Sequence, residues 1–214
     1  GLARALVPLP AQTTLLGVAN PRPSGRQFNV ALLSRIPILD QQTHTEGFTH
    51  CVVEAVLDHR GTPLVVLGAH LVSRDEQVRL QEAERLIARI DRETLASGYC
   101  ALLGDLNALS RHDPYDDTLD AKLLACGIHK YGHPPQFAEL DRLLAAGWVD
   151  ALHTEPRGAA WVTATRGGNG HTVDTRSDYV LLSPPLAKAI EKTEIVDVGD
   201  ASDHHAVMAT VRIG

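Results

Sequence analysis

Apolar residues fall along this chain in short runs, broken by clusters of glycine, proline, aspartate and asparagine, a pattern of many strands and few helices. Phe28 to Leu33 is a short apolar run that reads as a strand. From Thr49 to Asp58 the pattern alternates, with Cys51, Val53, Ala55 and Leu57 on one face. The stretch Asp58-His59-Arg60-Gly61-Thr62-Pro63 has turn chemistry and Pro63 to Ala69 reads as a second strand, so a hairpin is expected. Ser73-Arg74-Asp75-Glu76 matches a helix capping box, and Ala83, Leu86, Ile87 and Ile90 follow at helical spacing. Asp75 and Arg79 stand one turn apart and are expected to pair on the outer face of that helix. Tyr99 to Leu103 is wholly apolar and stops abruptly at Gly104-Asp105-Leu106-Asn107.

Residues 109 to 135 are polar and interrupted by Pro114, Pro134 and Pro135. Helices are expected over about Asp120 to Cys126 and Phe137 to Ala146, and strands over Trp161 to Thr165, Tyr179 to Leu182 and Ala206 to Ile213. Gly167-Gly168-Asn169-Gly170 reads as a turn, and the first residues as an amphipathic helix already under way. No Pro/Ser-rich linker divides residues 1 to 214, so one domain is expected, a β-sandwich flanked by helices.

Composition adds exclusions. The net charge of -6 gives no support to a broad basic face for a nucleic-acid backbone. No apolar run is long enough to span a bilayer, and the first residues lack signal-peptide character. The sequence leaves the location unknown, with the cytoplasm favoured. Three cysteines, Cys51, Cys100 and Cys126, without Cys-x-x-Cys spacing argue against a disulfide framework or structural zinc. Cys51 and Cys100 read as buried thiols in strands. The preference for arginine over lysine points to a bacterial genome rich in GC.

Candidate chemistry stands at strand termini in four segments: Gly68-Ala69-His70-Leu71, Gly104-Asp105-Leu106-Asn107, Arg176-Ser177-Asp178-Tyr179 and Ser202-Asp203-His204-His205. In a sandwich of antiparallel neighbours these would gather on one rim. The residue types suit attack on a phosphodiester. Asp203 and Asp105 can hold a divalent cation that absorbs negative charge. His204, oriented by Asp178, can handle the proton of a water. His70 and Asn107 can donate to the transition-state oxygens.

Gly-Asp-Leu-Asn after an apolar strand, Arg-x-Asp-Tyr-Val-Leu-Leu-Ser and the terminal Ser-Asp-His resemble the endonuclease/exonuclease/phosphatase superfamily. Val30-Ala31-Leu32-Leu33-Ser34-Arg35-Ile36-Pro37-Ile38 resembles its strand and Ser-Arg/Lys-x-Pro stretch, and Ala69-His70-Leu71 its phosphate-contacting histidine. The resemblance covers about Val30 to the C-terminus. It implies an α+β DNase I-like four-layer α/β/β/α sandwich and hydrolysis of a phosphoester with Mg²⁺ or Mn²⁺. It also implies roles: His70 on the scissile phosphate, Asp105 aligning or activating the water, and Asn107 on phosphate or metal. Asp178 would orient His204, Asp203 would join Asp105 at the metal, and His204 would be base or transition-state donor. Arg35 and Arg176 are candidate substrate ligands. For each a structural role competes, a strand-end cap for Arg35 and a surface pairing with Asp178 for Arg176.

The family begins with a strand, a helix and a strand ending in a metal-binding Gln-Glu, and no such pattern stands near the start here. Gln81-Glu82 lies within the capped helix. An N-terminally incomplete domain is therefore expected, with an open sheet edge and a bare apolar face. A second copy or a separate N-terminal fragment would cover them. The same departure supports an alternative, a family-derived module that binds a phosphate ligand without turnover. The substrate could be nucleic acid, phospholipid or inositol phosphate. His205, and the group His129, His133 and Cys126, read as structural or incidental.

Overall fold

The computed structural model describes residues 13–21, 25–154, 161–163 and 173–214. The expected N-terminal helix and the turn at Gly167 to Gly170 lie outside them, as does part of the strand expected at Trp161 to Thr165, whose described residues 161–163 are irregular.

A six-stranded mixed sheet forms the centre. Its strands are β3 (Ile38–His44), β4 (Val52–His59), β5 (Thr62–His70), β6 (Tyr99–Asp105), β7 (Val149–Asp150) and β8 (Asp178–Leu182), in the order β3-β4-β5-β6-β8-β7. The β4–β5 pair is the hairpin read from the sequence. Two further two-stranded antiparallel sheets are β1 (Thr13–Gly17) with β2 (Val30–Ser34), and β9 (Ile190–Val196) with β10 (Ala206–Val211).

Strand periodicity sorts the core onto the two faces of the central sheet. Leu67, Ala69, Cys100, Leu102, Tyr179 and Leu181 face one way. They pack on Ala83 and Leu86 of α1 (Glu76–Arg89), Leu95 of α2 (Arg92–Ser97), and Leu140 and Leu143 of α4 (Ala138–Ala145). The alternate residues Val53, Ala55, Leu57 and Val66 pack with Leu15 of β1, while Ala101, Val180 and Leu182 pack with Val207 and Ala209 of β10. The described residues thus build three of the four layers. Leu16, Val18, Val196 and Met208, in or beside the two small sheets, are exposed. Helix α3 (Leu119–Ala125) sits on a satellite core with Tyr131 and Val173, and α5 (Pro184–Ala187) follows β8. Among the described residues no helix is long and apolar enough to cross a membrane.

Three local expectations are corrected. The cap of α1 is Asp75, whose carboxylate accepts from the Val78 N–H at 3.0 Å, not Ser73. Arg79 does not pair with Asp75 on an outer face. It is 1% exposed and its Nε donates to Glu139 on α4 at 2.8 Å, because α4 covers that side of α1. Strands β5 and β6 run parallel, joined by the crossover through α1 and α2, so the rim gathers two strand C-termini and one N-terminus.

Candidate active site

The site follows from register. His70 ends β5, Asp105 ends β6 and Asp178 starts β8, and the three are cross-strand partners in one row. Each has the parity of the residues that face the small sheets, so their side chains point into the space between layers at one rim. Two backbone bonds fasten this rim: Leu71 N–H to Asp105 O at 3.0 Å and Leu106 N–H to Ser177 O at 2.8 Å. Gly104 is required just before Asp105. Its φ is +137°, and a Cβ there would lie 1.9 Å from the Ala69 carbonyl oxygen.

His204 reaches the row from the segment before β10, and its Nδ1 lies 2.7 Å from Asp178 Oδ2. Thr163, fully buried, holds the two segments together. Its Oγ1 accepts from the Ser177 and Asp178 N–H groups at 3.0 and 3.3 Å, and its carbonyl accepts from the His205 N–H at 2.8 Å. Asp105 Oδ1 accepts from the Asn107 N–H at 2.9 Å, and Asp105 Oδ2 lies 3.6 Å from His70 Nε2. Asn107 sits at φ +48°, a left-handed conformation that Asn tolerates. Its Nδ2 donates to Leu71 O at 3.0 Å and its Oδ1 accepts from Lys130 Nζ at 3.2 Å. The His70 ring packs on His50, with centroids 4.6 Å apart, and meets Phe28 edge-on at 5.9 Å.

These groups open onto a cleft of about 730 Å³, lined also by Ser73, Arg74, His129, Ser202 and Asp203. Burial, then the neighbouring Asp178 carboxylate, push the Asp105 pKa above the ordinary value, against the opposing influence of His70, Lys130 and His204. The hydrogen bond to Asp178 raises the His204 pKa, and burial only partly offsets it. Among the described residues, one group has three metal-ligating side chains close together: Asp105, Asp178 and His204. Asp203 is not in that group, although it lines the same cleft.

Six sequence candidates therefore meet here: His70, Asp105, Asn107, Asp178, Asp203 and His204. The two arginines do not. Arg35 follows β2 and stands two residues before Pro37, whose carbonyl accepts from the Asp58 N–H. That corner adjoins the Leu57–Leu64 pairing, six positions along β5 from His70, or roughly 20 Å at strand rise. Arg176 is fully buried beneath the rim. Its Nε donates to Asp113 Oδ2 at 3.0 Å and its Nη1 to Asp150 Oδ1 at 3.0 Å, so it is spent on these two carboxylates and not on Asp178, and it does not line the cleft. Burial opposes its charge, yet the Tyr179 ring and the two aspartates hold its pKa above the usual guanidinium value. His129 Nδ1 and His133 Nε2 lie 2.9 Å apart and His133 Nδ1 is 2.7 Å from Asp120, a hydrogen-bonded chain to which exposed Cys126 adds no third close donor. His205 turns away from the cleft, its Nδ1 3.4 Å from Asp197. Sequence reasoning missed Thr163 and Lys130; neither stands in a motif.

The model of the Endonuclease/Exonuclease/phosphatase family matches residues 3–204. This chain belongs to that family. Its fold is that of solved family members at low identity. A 3' phosphatase from Neisseria, bound to a product DNA hairpin, is 18% identical with a TM-score of 0.67, over 94% of this chain and 80% of that one. An AP endonuclease from Archaeoglobus fulgidus is 20% identical with a TM-score of 0.64, over 94% and 80%. A mannosyl-6-phosphatase from Bacteroides thetaiotaomicron is 14% identical with a TM-score of 0.65, over 96% and 78%. No curated protein matches the sequence.

Proposed function

We propose that this protein hydrolyses phosphate esters with a divalent cation, Mg²⁺ or Mn²⁺. The observation that carries the reading is the row His70–Asp105–Asp178 with His204 bonded to Asp178, all on one open cleft. A water oxygen attacks phosphorus as the ester P–O bond breaks, and the leaving oxygen departs with that bond's electron pair and takes a proton from solvent. Asp105, at the end of β6, aligns the attacking water and takes its proton. His204, held by Asp178, donates to the phosphate oxygens on which charge grows, and His70 donates beside it. Asn107 spends one N–H on Leu71, so its main contribution is to fix the loop that presents Asp105.

The donor set fits a hard cation. Asp105 and Asp178 place two carboxylates side by side in a partly buried setting, where negative charge is costly without compensation. Asp105 would hold the ion, with Asp203 on the same cleft although outside the close group of Asp105, Asp178 and His204, and the ion when bound would neutralise charge developing on the phosphate. Arg74 and Lys130 bring further positive charge to the cleft.

The test is a panel of DNA and RNA oligonucleotides, sugar phosphates, inositol phosphates and phospholipids, assayed with Mg²⁺, Mn²⁺ or a chelator. Asp105→Ala and His204→Ala should each lower turnover by about 10²–10⁴-fold. His205→Ala, outside the cleft, is the control. Turnover that survives both substitutions, or complete removal of divalent ions, refutes the assignment. A chain that binds phosphate without consuming any substrate would be the binding module instead.

A further inference from the structure

We propose that Lys130 is a ligand for the substrate phosphate, and that the buried Arg79–Glu139 pair holds it in place. The proposal rests on the phosphoesterase reading above. Lys130 lies between α3 and α4, far in sequence from every motif, yet its half-buried side chain lines the cleft beside Asp105 and Asn107. Its ammonium has three N–H donors. Asn107 Oδ1, a neutral acceptor at 3.2 Å, takes one, and the Tyr131 ring lies 4.8 Å away. Among the described residues no carboxylate lies within ion-pair distance of Nζ. A cation with donors to spare, next to the group proposed to activate water, suits the oxygens of a phosphate.

The backbone around it is fixed from below. Arg79 is 1% exposed, and its Nη2 donates to the Lys130 carbonyl at 2.8 Å while Nε donates to Glu139 at 2.8 Å. The same guanidinium donates through Nη1 to Val72 O at 3.3 Å, two residues beyond His70. One buried cation thus ties the Lys130 segment to the strand end that carries His70. Arg79 is a positioning residue; Lys130 is the group that touches substrate.

Lys130 could instead serve only to hold Asn107, and the variants separate the two roles. Lys130→Gln keeps an N–H for Asn107 but carries no charge, whereas Lys130→Arg keeps the charge. We would measure kcat and KM on the best substrate of the wild-type panel, and the Kd of inorganic phosphate by calorimetry with Mg²⁺ present. The expected result for Lys130→Gln is a loss in kcat/KM of about 10²-fold and a weakening of phosphate binding by about tenfold, with an unchanged melting temperature. Lys130→Arg should keep more of both. A Lys130→Gln variant within twofold of wild type in both assays overturns the proposal. Replacing the pair together, Arg79→Met with Glu139→Met, avoids leaving an orphaned buried charge. It should lower kcat/KM in the wild-type background and add little in Lys130→Gln; equal losses in both would detach Arg79 from Lys130. Should the wild type turn over nothing on the panel, the phosphoesterase reading fails, and the phosphate titration alone decides Lys130. A wild type that neither turns over substrate nor binds phosphate overturns both.

Discussion

Arg176→Met separates a buried structural ion from a substrate ligand. The wild-type guanidinium is fully buried and donates to Asp150 through Nη1 at 3.0 Å and Nη2 at 2.5 Å. It also donates to Asp113 through Nε at 3.0 Å, and it stacks 4.3 Å from the centre of the Tyr179 ring. Methionine fills much of the volume but leaves Asp113 and Asp150, 6% and 4% exposed, without their guanidinium; among the described residues His153, the Tyr115 hydroxyl and the Leu152 N–H remain beside them. Removing one partner of a buried pair costs about 3–5 kcal/mol, mostly from the charge left behind. A domain of this size loses about 2–4 °C per kcal/mol, so the melting temperature should fall by roughly 6 to 20 °C. Differential scanning calorimetry measures the drop. Adding Asp150→Asn should recover part of it, since the two sites share one network. A variant that melts within about 2 °C of wild type but shows a raised KM would refute this reasoning and restore Arg176 as a substrate ligand.

Asp178→Asn should lower the His204 pKa toward its ordinary value, because the carboxylate is the main cause of its rise; histidine-ring NMR titration of metal-free protein would show it, and an unmoved pKa would contradict the pairing. Gly104→Ala should destabilise by at least the roughly 1–3 kcal/mol of a strained backbone, plus the clash with the Ala69 carbonyl; a denaturation midpoint equal to wild type would be inconsistent with the close β5–β6 approach. Asp75→Ala should cost about 1 kcal/mol through loss of the α1 cap, read by urea denaturation, whereas Ser73→Ala should cost little there. Arg35→Ala should leave kcat/KM within about twofold of wild type, since it stands at the far end of the sheet; a tenfold loss would place a substrate contact there.

The strands β4, β5, β6, β8 and β10 were legible because their apolar residues run continuously or alternate, and the motif residues stood at their ends. Strands β3 and β9 were not, since each carries polar residues that read as loop: Asp40, Gln41 and Gln42 in one, Glu191, Lys192 and Glu194 in the other. The types and order of His70, Asp105, Asn107, Asp178, Asp203 and His204 were visible in the linear text. That three of them share one row and one face depends on register, which arises only when β5, β6 and β8 pair. Charge misled where it was buried: Arg79, Glu82, Glu139, Asp150 and Arg176 count as surface residues in any local pattern, yet each is at most 4% exposed. Their partners lie far away in sequence, as Arg79 to Glu139 and Arg176 to Asp113 show. Local periodicity reports only what a segment can bury by itself. Whether an ion pair can be buried, and whether Lys130 can reach Asn107, depends on groups that meet only after the chain has folded.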